Sequence, residues 1–126
     1  MDELINNKDK IKKCLDKVLA KVPEFKTSDI LTRVIKGDSQ MWLVEEEDNI
    51  DGVVVTNLIK YPATQRLLIH LCGGQNIRDW IALYMQTIEE WSKSKGLDGI
   101  EIQGRKGWLK LLPDYSCNRV FMIKEF

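Results

Sequence analysis

A chain of 126 residues with 44% apolar side chains is long enough to build one hydrophobic core and too apolar to remain disordered. Nineteen basic residues offset nineteen acidic ones, which excludes the broad positive surface of a general DNA or RNA binder. No apolar run approaches the roughly 20 residues of a membrane span, and the polar opening MDELINNKDKIKK has no signal-peptide h-region.

Cys14, Cys72 and Cys117 are far apart and form no C-x-x-C pair, and the chain has one histidine. That pattern points to buried thiols in a reduced, cytoplasmic protein, with no zinc site.

Ile11, Cys14, Leu15, Val18, Leu19 and Val22 recur with helical period, which predicts an amphipathic helix closed by Pro23. Thr27 and Ser28 can cap a second, short helix with the apolar face Ile30, Leu31, Val34 and Ile35, ended by Gly37. The period then changes. Gln40–Glu46 reads as a strand, EDNIDG as a turn-forming stretch, and Val53–Tyr61 as a long β-branched strand. Arg66–Cys72 is apolar at both parities, so it should lie centrally in a sheet covered on both faces.

Gly73-Gly74 breaks that strand. Ile77, Trp80, Ile81, Tyr84, Ile88 and Trp91 then mark a long helix, capped by Gly96. GIEIQ is a fourth strand, expected parallel to the third because a helix joins them. Trp108–Leu112 forms a short helix stopped by Pro113, and the stretch from Asn118 onward reads as a final strand. The fold class is α+β in a single domain over residues 1–126, with a mixed, mostly antiparallel sheet and the order α-α-β-β-β-α-β-α-β. The four tryptophans fall at core-facing spacing or beside turns and read as packing, not as a base-stacking platform.

This order resembles the GNAT acetyltransferase fold. Two stretches, DGIEIQGRKGWLKLLPDYSCNRVFMIKEF and SQMWLVEEEDNIDGVVVTNLIKYP, are similar to small GNAT-like proteins encoded by tailed bacteriophages. The resemblance implies acetyl-CoA as cofactor and an amine, on a protein or a small molecule, as acceptor. It also implies a splayed pair of strands and a pyrophosphate turn before the long helix. Here that turn would be built from Leu71, Cys72, Gly73, Gly74, Asn76 and Arg78, and its spacing departs from the family pattern. Asn76 is a good N-cap that would compete for the same amides, and Asp79 adds a negative charge.

The family often supplies an acid from a tyrosine on its last short helix. Leu112 stands at that position here, with Tyr115 the nearest substitute. His70 is either a hydrogen-bonded core or cleft histidine or a general base, since imidazole titrates near neutral pH, and Glu101 could play the same part or be an outward charge. In the knot Gly104-Arg105-Lys106-Gly107 the glycines permit a tight turn, and Trp108 anchors the short helix. Arg105 either grips a cofactor phosphate or an acidic partner, or is an exposed loop charge. Two functions remain open. One is an acetyl-CoA-dependent N-acetyltransferase. The other is a silent GNAT-fold protein that binds in a phage virion or on a host protein.

Overall fold

A computed structural model describes residues 8–47, 49–104 and 107–126. Helix α1 (Lys8–Leu19) and helix α2 (Thr27–Ile35) precede strands β1 (Ser39–Glu46), β2 (Asn49–Lys60) and β3 (Gln65–Gly74). Helix α3 (Ile77–Ser94), strand β4 (Gly99–Ile102) and the single turn α4 (Trp108–Leu111) follow. The sheet order is β1-β2-β3-β4. The first three strands form the expected antiparallel meander, and β4 lies parallel to β3 through the crossover helix. The fold is therefore α+β and mixed, in the expected order through the short helix.

Two apolar layers sandwich the sheet, which explains why β3 is apolar at both parities. On one face α3 packs Trp80, Ile81, Met85 and Ile88 onto Val44, Val54, Leu67 and Ile69. On the other, Ile11, Leu15 and Leu19 of α1 and Ile30 of α2 cover Val53, Val55 and Leu71. Neighbouring residues Val53, Val54 and Val55 thus serve opposite cores, as the period of a strand requires. The tryptophans pack: Trp42 meets Trp91 edge-on at 5.4 Å between centroids, and the Trp80 indole N–H donates to the Gln75 carbonyl at 2.8 Å.

Several boundaries differ from the sequence reading. Helix α1 ends at Leu19, before Pro23. The α2 N-cap is Lys26, not Thr27 or Ser28, and the Lys26 amide donates to the Asp29 carboxylate at 2.8 Å. The turn-rich EDNIDG contracts to a hairpin tip in which Glu47 takes a positive φ, because Glu45 pairs with Ile50 and Glu46 with Asn49. Cys117 is exposed rather than buried. Residues 118–126 carry no strand assignment and stand in solvent. None of the described helices is long and apolar enough to cross a membrane.

Candidate functional site

The geometry of interest lies between β3 and β4. Their ladder runs from Arg66–Gly99 to Ile69–Ile102 and stops, while β3 continues to Gly74. The strands are tied at one end. The Asp98 amide donates to the Gln65 carbonyl at 2.8 Å. The Asp98 carboxylate in turn accepts from the Gln65 amide at 2.9 Å and from the Thr64 hydroxyl at 3.0 Å. Those two donors hold the Asp98 carboxyl below its ordinary range. Just beyond the last β3–β4 partners, a β-bulge interrupts the ladder between β2 and β3. Val55 faces Leu71 and Thr56 faces Ile69, so His70 is the extra residue that β2 does not match. Past the bulge, β3 has no strand on its β4 side among the described residues.

The bulge also resets which side chains face which core. Strict alternation would group Leu71 with Leu67 and Ile69, and Cys72 with His70. Instead Leu71 packs on the α1/α2 side and Cys72 on the α3 side, where burial pushes its thiol up to about 12. His70 stays on the α1/α2 side. Its ring meets Phe25 edge-on at 4.6 Å, and its Nδ1 is buried without a hydrogen-bond partner among the described residues. Burial first, and then the Arg33 charge, lower its pKa from the ordinary 6.5, while Glu24 partly opposes them, so the ring is neutral at pH 7.

The other two candidates do not join His70. Tyr115 packs against the α3-side core, so the sheet separates it from His70. Its hydroxyl is buried with no partner at hydrogen-bond distance, and burial followed by the Glu89 charge raises its pKa. Glu101 is tied to the strand clamp. It pairs with Arg66 at 2.9 Å and accepts the Tyr61 hydroxyl at 2.8 and 3.0 Å. Burial would raise its pKa, but the Tyr61 and Arg66 contacts outweigh it and hold the carboxylate below its ordinary range. Its carboxylate is thus already engaged by two partners. Arg66 and Glu101 remain partly exposed, at 40% and 21%. Glu101→Gln is therefore expected to cost less than about 1 kcal/mol in urea unfolding and to leave any transferase activity within twofold.

The diglycine turn differs from its sequence reading in an instructive way. Gly73 and Gly74 belong to β3 rather than ending it. A Cβ on Gly73 would stand 2.1 Å from Val18 Cγ2. One on Gly74, whose φ is +140°, would stand 2.2 Å from the Asp51 carbonyl oxygen. Close packing against α1 and β2 demands both glycines. Asn76 is the N-cap residue of α3 in a left-handed conformation, but its side chain makes no cap hydrogen bond. The competition expected from it is absent. The Asp79 amide is taken by the Asn76 carbonyl at 2.9 Å, whereas the Ile77 and Arg78 amides have no partner among the described residues. Asp79 does sit in the first turn, and Arg78 is exposed beside it. Arg105 and Lys106 lie outside the described residues. Of the two glycines flanking them, only Gly104 is crowded, with Trp108 Cδ1 2.6 Å from a built Cβ. Gly107 has an ordinary right-handed backbone and open space, so the turn does not need it as glycine.

Sequence reasoning missed Phe25, Arg33 and Asp98. The first two reach His70 only through the packing of α2 on the sheet, and no local pattern marks them. Asp98, two residues beyond Gly96 and at the mouth of a strand, is the kind of Asx residue that fixes backbone amides, so a signal existed.

Neither a family model nor a curated relative matches the chain. Solved structures do. A GNAT family acetyltransferase from Staphylococcus aureus superposes over 100% of this chain and 94% of its own, with a TM-score of 0.74 and 14% identity. A ribosomal-protein-alanine N-acetyltransferase from Brucella melitensis covers 96% and 94%, at 0.72 and 8%. An aminoglycoside acetyltransferase from an uncultured soil metagenomic sample covers 96% and 91%, at 0.68 and 15%. At these identities the likeness is one of fold. With the central β3, the parted β4 and the helix between them, this chain has the fold of the GNAT acetyltransferases.

Proposed function

We propose that the protein transfers an acetyl group from acetyl-CoA to an amine. The observation that carries this reading is the parting of β3 from β4 beyond Ile69 and Ile102, with β3 running on to the uncapped start of α3. The residues there fit the cofactor. The open side of β3 from His70 to Gly74 offers backbone donors, and the Ile77 and Arg78 amides with the Arg78 guanidinium suit a pyrophosphate.

Bound acetyl-CoA supplies the activated acetyl carbonyl. In the transfer a C–N bond forms, the C–S bond breaks, one proton leaves the amine and one reaches the sulfur. His70 is neutral, and its part-exposed ring is suited to accept the first proton. Tyr115, held protonated by burial and Glu89, is suited to give the second, from the opposite face of the sheet.

Acetyl-CoA at about 100 times its Kd should stabilise the fold by about 2.7 kcal/mol and raise Tm by roughly 10 °C. Arg78→Glu, on the exposed first turn, should remove at least half of that shift without changing the melting point of the free protein. No shift at saturating cofactor would end the reading. It would then favour the second one, a silent GNAT-fold protein bound to a partner such as a phage particle or a host protein. Asp79 in the first turn of α3, and the buried Leu112 where the family often places a tyrosine, are the features that favour it.

A further inference from the structure

The two ends of α3 meet different surroundings. Its first turn lies at the proposed cofactor site, and its 18 residues carry the chain about 27 Å away. The helix stops at Ser94 and leaves the last α3-side positions of the sheet open. There Leu58 pairs with Leu67 and Lys60 with Gln65, yet Leu58 stays 42% exposed. Between these positions and Trp91, Lys95 and Leu97 at the end of α3 lies a cavity of about 330 Å³, the size of a small-molecule site.

The cavity is apolar inside and cationic at its mouth. Leu67 is fully buried, and Trp91 and Leu97 are half-buried. Lys60 and Lys95 are exposed, and neither has a carboxylate partner among the described residues. The Lys95 ammonium stands 5.8 Å from the centre of the Trp91 ring. No acidic side chain among the described residues lines the space. Asp98, beside Leu97, has its carboxylate engaged by the Gln65 amide and the Thr64 hydroxyl. The Trp91, Ser92 and Lys93 carbonyls at the helix end accept from the amides of Lys95, Leu97 and Gly96, which blunts the negative pole of the helix.

A buried relay fixes the remaining polar group. The Trp42 indole N–H can only donate, and it donates to the Thr56 hydroxyl at 3.1 Å. Thr56, fully buried, therefore turns its own proton to Gln40 Oε1 at 2.9 Å. That leaves the Gln40 amide N–H groups, with no partner among the described residues, as its contribution to the cavity. We propose that this cavity binds a small carboxylic acid, as its anion, with an apolar body. The carboxylate lies among Lys60, Lys95 and the Gln40 amide, and the body rests on Trp91, Leu67 and Leu97. Two ammonium groups repel a cation, and a bare phosphate would leave the apolar wall in water. The site is separate from acetyl transfer and does not depend on it.

Nuclear magnetic resonance of the isotope-labelled full chain tests this with benzoate as the probe. The Trp91 indole N–H and the Gln40 side-chain amide should shift saturably, with a Kd on the order of 1 mM for a ligand of this size. Benzamide, which keeps the ring and removes the charge, should bind about tenfold more weakly. Lys60→Gln combined with Lys95→Gln, both on the surface, should weaken benzoate by about tenfold at an unchanged melting temperature. Gln40→Glu keeps an oxygen for Thr56 but puts a second carboxylate in the cavity, and it should abolish binding. Equal affinity for benzoate and benzamide would reduce the cavity to an apolar hollow and overturn the proposal. Inorganic phosphate competing as strongly as benzoate would reduce it to a patch of charge, with the same consequence. Undiminished binding by the lysine variant, or no saturable shift at about ten times the expected Kd, would also overturn it.

Discussion

Gly74→Ala is expected to lose about 3 kcal/mol of stability in denaturant unfolding, and Gly96→Ala only about 1 kcal/mol. Both glycines have positive φ, +140° and +75°, so strain alone does not separate them. Surroundings do. A methyl on Gly96 meets nothing within 4 Å, whereas one on Gly74 meets the Asp51 carbonyl at 2.2 Å and the Gly52 Cα at 2.4 Å. Those atoms belong to the backbone of β2, which cannot yield without breaking the register Gly52–Gly74 and the bond from the Gln75 amide to the Asp51 carbonyl. Equal losses in the two variants would refute the close approach. The same geometry decides how the cofactor site can be tested. A glutamate at Gly74 would damage the fold before it repelled a pyrophosphate, so Arg78 is the position at which charge can be reversed cleanly.

His70→Gln is expected to lower kcat about 100-fold or more while leaving acetyl-CoA binding and the far-ultraviolet spectrum unchanged. Glutamine keeps a polar group beside Phe25 but cannot carry the proton. In the unaltered protein, activity should fall as pH drops through the folded pKa of His70, which burial and Arg33 place below the ordinary 6.5. Arg33→Gln should move that limb upward. Stability should follow the same group. Between the lowered folded value and 6.5 the unfolded chain binds more protons than the folded one, so stability rises with pH there. The contribution is complete above the unfolded value and is lost as pH falls toward the folded one. A variant that retains full activity, or an acid limb unmoved by Arg33→Gln, would remove His70 from the reaction.

Much of this architecture was legible before any coordinates. The helical period of Ile77 to Trp91, the doubly apolar Arg66–Cys72 and the helix-joined GIEIQ suffice for the meander, the crossover and the two-faced burial. The reason is general: burial patterns repeat with the period of the element that carries them. Less was legible where an element's end depends on a distant neighbour. EDNIDG has turn-forming residues, yet Ile50 and Asp51 stay in β2 because pairing with β1 and the Gln75 amide uses their backbone. The diglycine has the composition of a breaker, yet it continues β3 because Gly73 and Gly74 pair with Val53 and Gly52 of β2.

The site divides along the same line. Its residue types were evident from sequence: one histidine, a glycine pair before a helix, an arginine in that helix's first turn, and a tyrosine past a proline. Their mutual placement was not. A one-residue bulge at His70 moved Leu71 and Cys72 to the faces opposite those expected, left His70 facing Phe25, and put Tyr115 across the sheet. A strand's side-chain period is two, so a single inserted residue inverts every assignment beyond it. The amino-acid order thus determined which elements exist and which of their faces are apolar, because both follow from local period. Only the tertiary structure decided where β3 and β4 part and, among the described residues, which amides of α3 lack partners and that residues 118–126 find no strand to join, because each depends on backbone from elsewhere in the chain.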